Sequence, residues 1–212
     1  MNLHSYIDAT ILRPDARIEE IEQLCDLSIE HQFAAVCVAP THVPYVSQRL
    51  SNTSVQVCTV IGFPNGNTNT EVKIYETELM IALGATEIDF VLNRNLLADG
   101  DYTRIEEESK QIIERCRAKH IVSKWIIESS AIRSEELKEL CAIANRLNPT
   151  FVKTCTGFFG TARIDDVKMM RELLLPSIQI KASGGIKTRE QALEFIACGA
   201  NRIGTSSIQE MR

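Results

Sequence analysis

The sequence predicts an α/β protein folded as a single (β/α)8 TIM barrel with a short final helix, one domain over residues 1–212. Short β-branched or apolar runs alternate with longer amphipathic stretches from end to end, the pattern of βα units around a parallel sheet. The strand runs number eight, which favours closure over an open doubly wound sheet. No GxGxxG follows the first run, so the dinucleotide-binding open sheet lacks its fingerprint.

In order, the predicted strands are residues 6–12, 34–39, 55–62, 87–93, 122–129, 151–156, 178–183 and 202–204. Between them, segments such as 18–24 and 133–140 place apolar residues at helical spacing with charges opposite, so they read as outer helices. Asp15, Ser134 and Thr188 are the expected N-caps, because short polar side chains satisfy free N–H groups at a helix start. After Ser207 five residues remain, hence the short final helix.

Composition narrows the function classes. The hydrophobic fraction of 44% and charged fraction of 24% are those of a globular protein with one sizeable core. Residues 1–5 show no basic region leading into an apolar core, and no apolar run approaches the ~18 residues that span a bilayer. Seven cysteines, an odd number and mostly inside apolar segments, fit a reducing cytoplasm. No CxxC, HxH or HxxxH spacing marks a metal site. A net charge of −5 without a basic tract argues against nucleic acid. The expected partner is a small molecule.

Buried parallel strands normally read as unbroken apolar runs, so a charge inside one calls for a reason. Asp89, Lys153 and Lys181 are such charges, each ahead of a polar or glycine-bearing turn, and barrel active sites lie at the carboxyl ends of strands. Two lysines on neighbouring strands repel each other, so one should lose its proton easily and attack a carbonyl. Asp89 is placed to shuttle protons or to hold the other lysine charged. Lys124 stands early in its strand and is expected at the stability face or in the lower interior.

A phosphate cradle is expected from two turns, Ser183-Gly184-Gly185-Ile186 and Gly204-Thr205-Ser206-Ser207, where glycines let backbone N–H groups approach an anion. Thr156 and Gly157 add donors from the sixth turn. Asp8 and Cys37 are candidate pocket-lining residues, and residues 62–71 form a further polar loop at the same face.

These residues resemble the deoxyribose-phosphate aldolases over almost the whole chain. Phe151-Val152-Lys153-Thr154-Cys155-Thr156-Gly157-Phe158 is similar to that family's Schiff-base motif, and Lys181-Ala182-Ser183-Gly184-Gly185-Ile186 to its second-lysine and phosphate motif. Glu87-Ile88-Asp89-Phe90-Val91 resembles the segment with its proton-relay aspartate. Ala39 and Ala9 depart from the usual polar residue and histidine, and Ser129-Ser130 from the usual threonine or glycine. The resemblance implies reversible cleavage of 2-deoxy-D-ribose 5-phosphate to acetaldehyde and D-glyceraldehyde 3-phosphate, with Lys153 as the Schiff-base residue. It also implies no cofactor and a homo-oligomer, expected as a dimer. A Schiff-base aldolase for another phosphorylated sugar and a non-catalytic sugar-phosphate-binding barrel are the alternatives.

Overall fold

The computed structural model describes residues 2–211. Eight parallel strands close into a barrel in chain order: β1 (Ile7–Ile11), β2 (Ala35–Val38), β3 (Gln56–Ile61), β4 (Glu87–Val91), β5 (Val122–Ile126), β6 (Phe151–Lys153), β7 (Gln179–Ser183) and β8 (Arg202–Thr205). The seam is the β8–β1 pair, which sets Asp8 opposite Gly204 and Ala9 opposite Thr205. Outside run α1 (Ile18–His31), α2 (Val43–Leu50), α3 (Thr70–Ala82), α4 (Arg94–Ala98), α5 (Tyr102–Ala118), α6 (Ser134–Leu147), α7 (Ile164–Leu173) and α8 (Arg189–Ala197). The short final helix is a single 3-10 turn, Ile208–Met211. No helix among the described residues is long and apolar enough to cross a membrane.

Successive strand side chains point to opposite faces, and here the two faces differ in chemistry. One set, including Val36, Ile88, Phe90, Trp125, Val152, Ile180 and Ile203, packs in the large core between sheet and helices. Phe90 and Trp125 stack there with ring centroids 6.4 Å apart. The barrel interior holds an apolar group of Ala35, Cys37, Cys58 and Val60, and Phe151, whose ring lies 5.2 Å from the Arg202 guanidinium. Around these the interior is largely charged, and Asp8, Glu87, Asp89, Lys124, Lys153 and Lys181 are all buried.

One buried ion pair lies in the outer layer. Lys73 of α3 reaches Glu108 of α5 at 2.6 Å and donates to the Val91 carbonyl at 3.0 Å, fastening both helices to the end of β4. Every strand lies where its run was predicted, but several are shorter. β5 stops at Ile126 and β6 at Lys153, because the backbone beyond leaves the ladder to form the turns of the mouth.

Two helix starts require correction. α1 is preceded by Arg17 rather than Asp15, and α6 by Arg133 with Ser134 already helical. At each, a glutamate in the first turn reaches back to the free N–H: Glu20 accepts from Arg17 N at 2.9 Å and Glu136 from Arg133 N at 2.7 Å. That acid does the work a serine or aspartate cap would do. Thr188 caps α8 as expected, accepting from Gln191 N at 3.3 Å.

Leu140, fully buried on α6, tests the outer core. Leu140→Ala should lower unfolding stability by about 2–5 kcal/mol through lost contacts and a residual cavity. Denaturant titration followed by the fluorescence of Trp125, the chain's one tryptophan, measures it.

Candidate active site

The register of the strands gathers the interior charges. Asp89 sits opposite Lys124 across β4–β5, and Lys153 opposite Lys181 across β6–β7. The Asp89 carboxylate then receives three ammonium groups. Its Oδ2 accepts from Lys153 Nζ at 2.8 Å and from Lys181 Nζ at 2.7 Å, and its Oδ1 from Lys124 Nζ at 2.8 Å.

Below this node the network continues. Lys124 lies 2.6 Å from Glu87, Lys181 lies 2.5 Å from Asp8, and Arg202 closes the ring with contacts of 2.6 Å to Asp8 and 3.1 Å to Glu87. Burial opposes ionisation of Asp89, but the attraction of Lys124, Lys153 and Lys181 prevails and holds its carboxyl well below the usual range. Asp8 is lowered in the same way, burial being outweighed by Lys181, Lys124 and Arg202. Burial would discharge Lys181, yet Asp8 and Asp89 raise it well above an ordinary lysine. Lys124 is raised likewise, against burial, chiefly by Asp89.

Lys153 differs from the other two lysines in position and partners. It alone of the three lines the cavity that opens at the carboxyl ends of the strands, a space of about 310 Å³. Its single acid is Asp89, whereas Lys181 has two and lies beneath. An amine facing a cavity from above a charged, acid-locked neighbour is the arrangement an amine nucleophile needs.

The opposite wall is built from the turns after β7 and β8. Gly184, Gly185, Gly204 and Ser206 line the cavity with Thr156 and Gly157. Gly185 has φ +74°, and a side chain there would meet Thr161 at 2.6 Å. At Gly204 a Cβ would stand 2.8 Å from the Ser183 Cβ and 3.1 Å from the Lys181 Cε, so this glycine gives Lys181 its passage. Phe158 adds an apolar flank, edge-on to Phe63 at 5.3 Å, and Arg94 lies 4.2 Å over the ring of Phe159.

Three expectations change. Asp8 and Cys37 do not line the cavity, since they lie below its floor, Asp8 locked between Lys181 and Arg202 and Cys37 against Cys58. Ser207 falls outside the lining as well; its N–H donates to Thr205 Oγ1 at 3.0 Å and shapes the turn. Lys124 takes the second of its two expected places, the lower interior, and its amine reaches Asp89.

Sequence reasoning missed Glu87, Arg202 and Cys58. Glu87 was legible, two residues before Asp89 and so on the same face of β4. Glu128 was also missed. It is buried at φ +56° and accepts from Thr156 N at 3.2 Å, pinning the turn after β6.

The metal expectation rested on local spacing, whereas strand pairing brings Cys37 opposite Cys58. Cys37, Cys58 and Asp89 offer ligand atoms within 4.8 Å of one another. The donors do not suit a cation, because Lys124 already contacts both Cys58, at 3.0 Å, and Asp89.

Fold and cavity together define a barrel enzyme with an amine on the floor of its pocket, and comparison narrows the class. Residues 4–205 match the DeoC/LacD family of aldolases, and the chain belongs to that family. The deoxyribose-phosphate aldolase of Clostridium novyi is 41% identical over 208 residues, covering 98% of this chain and 93% of that protein. That of Thermococcus gammatolerans is 43% identical over 210 residues, with 98% and 93% covered. The tetrameric deoxyribose phosphate aldolase of Aeropyrum pernix superimposes with a TM-score of 0.92 at 30% identity, over 99% of this chain and 88% of that one.

Two tests follow from the ion network. Asp89→Asn leaves three buried ammonium groups without their common acid and should cost about 3–5 kcal/mol of unfolding stability in a denaturant titration. Because Asp8 and Asp89 are depressed in the fold, their contribution is complete above the unfolded carboxyl value of about 4 and fades as pH falls toward the folded values. The melting temperature should therefore drop below about pH 4. A melting temperature that stays flat down to about pH 2 contradicts the network's role.

Proposed function

We infer that this protein is a class I aldolase that reversibly cleaves 2-deoxy-D-ribose 5-phosphate to acetaldehyde and D-glyceraldehyde 3-phosphate through a Schiff base on Lys153. The observation that carries the reading is the Lys153 amine on the cavity floor, hydrogen-bonded to an Asp89 carboxylate that it shares with the charged Lys181. Family membership and relatives similar over nearly the full chain give the substrate.

In the forward direction the neutral Lys153 amine adds to C1 of the open-chain sugar, forming a carbinolamine. Asp89 relays the protons that let hydroxide leave as water, and an iminium remains. The C3 hydroxyl then gives up its proton, the C2–C3 bond breaks, and its electron pair flows into the iminium to leave an enamine. Glyceraldehyde 3-phosphate departs, C2 is protonated, and water releases acetaldehyde and the amine. The iminium is the electron sink, so the reading includes neither metal nor organic cofactor.

Lys181 holds the positive charge beneath the nucleophile, kept there by two acids. The turns after β7 and β8 bind the phosphate, with Gly184, Gly185, Gly204 and Ser206 in contact and Thr156 and Gly157 closing the sixth-strand side. Ser207 supports the eighth turn. The reading places the enzyme in the cytoplasm, in deoxyribonucleotide breakdown, as a homo-oligomer of at least two copies. The exposed apolar side chains Val72, Tyr75, Leu79 and Leu83 along one side of α3 offer a surface for association.

Reduction with borohydride in the presence of acetaldehyde, followed by peptide mass analysis, should find the adduct on Lys153, and Lys153→Leu should abolish it. An adduct on another lysine sinks the assignment. Lys181→Leu removes the neighbouring charge and should move the rise of kcat/KM to higher pH; an unchanged profile argues against its electrostatic role.

A further inference from the structure

The phosphate cradle described above is made of backbone and hydroxyl groups, and a phosphate monoester brings about two negative charges. Among the described residues lining the cavity, the cationic side chains are Arg13, Lys153 and Lys187. Lys153 is committed to the carbonyl end. The charge at the phosphate end comes from the rim, where Lys187 follows the Gly184-Gly185-Ile186 turn and Arg13 follows β1.

Barrel closure puts Arg13 there. It follows β1, and β1 pairs with β8, so the loop carrying Arg13 runs beside the Gly204-Thr205-Ser206 turn. Arg13 also borders a second cleft, lined by Asp15, Arg17, Glu19 and Glu20, and so stands between that acidic cleft and the cavity. Its two acid contacts are unequal. Nη2 is bound by Glu20 Oε1, and Glu20 is itself anchored through Oε2 to Arg17 N at 2.9 Å. Nη1 meets Asp15 at 3.3 Å, a long contact to a side chain that is 82% exposed.

We propose that Arg13 is the residue that reads the substrate phosphate: Glu20 holds one edge of the guanidinium while Nη1 exchanges Asp15 for a phosphate oxygen, setting the preference for phosphorylated over unphosphorylated sugar. A planar fork with five donors can present one edge to a carboxylate and another to a phosphate, a fixed geometry that a lysine ammonium lacks. Glu20 is then a positioning residue, and Asp15 a competitor that the substrate displaces. This rests on the reading of the cavity as a sugar-phosphate site.

The test compares 2-deoxyribose 5-phosphate with 2-deoxyribose in steady-state cleavage, and inorganic phosphate binding by calorimetry, for the wild type and three variants. Arg13→Gln should lower the ratio of kcat/KM between the two sugars about tenfold and weaken phosphate binding by a similar factor, the scale of one lost charge-assisted hydrogen bond. Arg13→Lys should recover part of both, having the charge without the fork. Asp15→Asn, a surface change that keeps the fold, should tighten phosphate binding. Equal losses on both sugars in Arg13→Gln, phosphate binding unmoved by it, or unchanged or weaker phosphate binding in Asp15→Asn overturns the proposal. A wild type that binds phosphate in this Arg13-dependent way but leaves the sugar phosphate intact would refute the aldolase reading and not the role of Arg13.

Discussion

One carboxylate holding three ammonium groups is the constraint on which the rest of this barrel depends. The interior of such a barrel is ordinarily filled by branched apolar side chains. Here β1, β4, β5, β6, β7 and β8 all send charges inward, and Asp89 is where three of them meet. Burying ions costs several kcal/mol each unless close partners compensate, so the arrangement persists only while every member keeps its contacts. The stability of the fold is therefore carried by the outer core, where Leu140, Trp125 and their neighbours pack. The inner network supplies position and charge.

That network also separates two lysines of identical chemistry. Asp8, Glu87 and Asp89 face Lys124, Lys153, Lys181 and Arg202, three acids against four cations. Lys124 and Arg202 each touch at least two acids and lie deep, and Lys181 touches both aspartates. Lys153 touches one acid and opens on the cavity. It has the fewest acid contacts of the four cations, and it is the one that a carbonyl can reach. Differences of a single contact, set by strand register, leave one lysine locked between two acids and the other open to the cavity.

The fold was legible because a strand buried on both sides and an amphipathic helix write different periods into the chain. The cavity floor was legible, since Lys153 and Lys181 interrupt apolar runs just before glycine turns. The site was less legible below, for two physical reasons. Charges such as Glu87 and Arg202 sit at the starts of their strands, where a charge ordinarily meets solvent, and only the tilt and closure of the barrel turn them inward. Contacts such as Cys37 with Cys58 join residues far apart in sequence, so no local spacing announces them. Helix starts were misplaced by a few residues because Glu20 and Glu136 reach back from within the first turn. At strand ends the predicted runs were too long for the opposite reason: Thr154 N still bonds Lys181 O at 3.0 Å, although the regular ladder has ended.

The floor of the cavity and its wall of glycine turns are fixed by the same pairing, and this ties one to the other. Across β7–β8, Lys181 stands opposite Arg202 and Ser183 opposite Gly204; across β8–β1, Gly204 stands opposite Asp8. Gly204 is thus at once the opening through which Lys181 reaches its acids and a wall residue of the cavity. A slip of one residue at this seam would turn Lys181, Arg202 and Asp8 toward the helices and place Ile180, Ile203 and Ile7 inside. The ion network resists such a slip, because every slipped charge would be buried without its partner. The cost of burying charge in the barrel thereby enforces the register that aligns Lys153 with the glycine turns after β7 and β8.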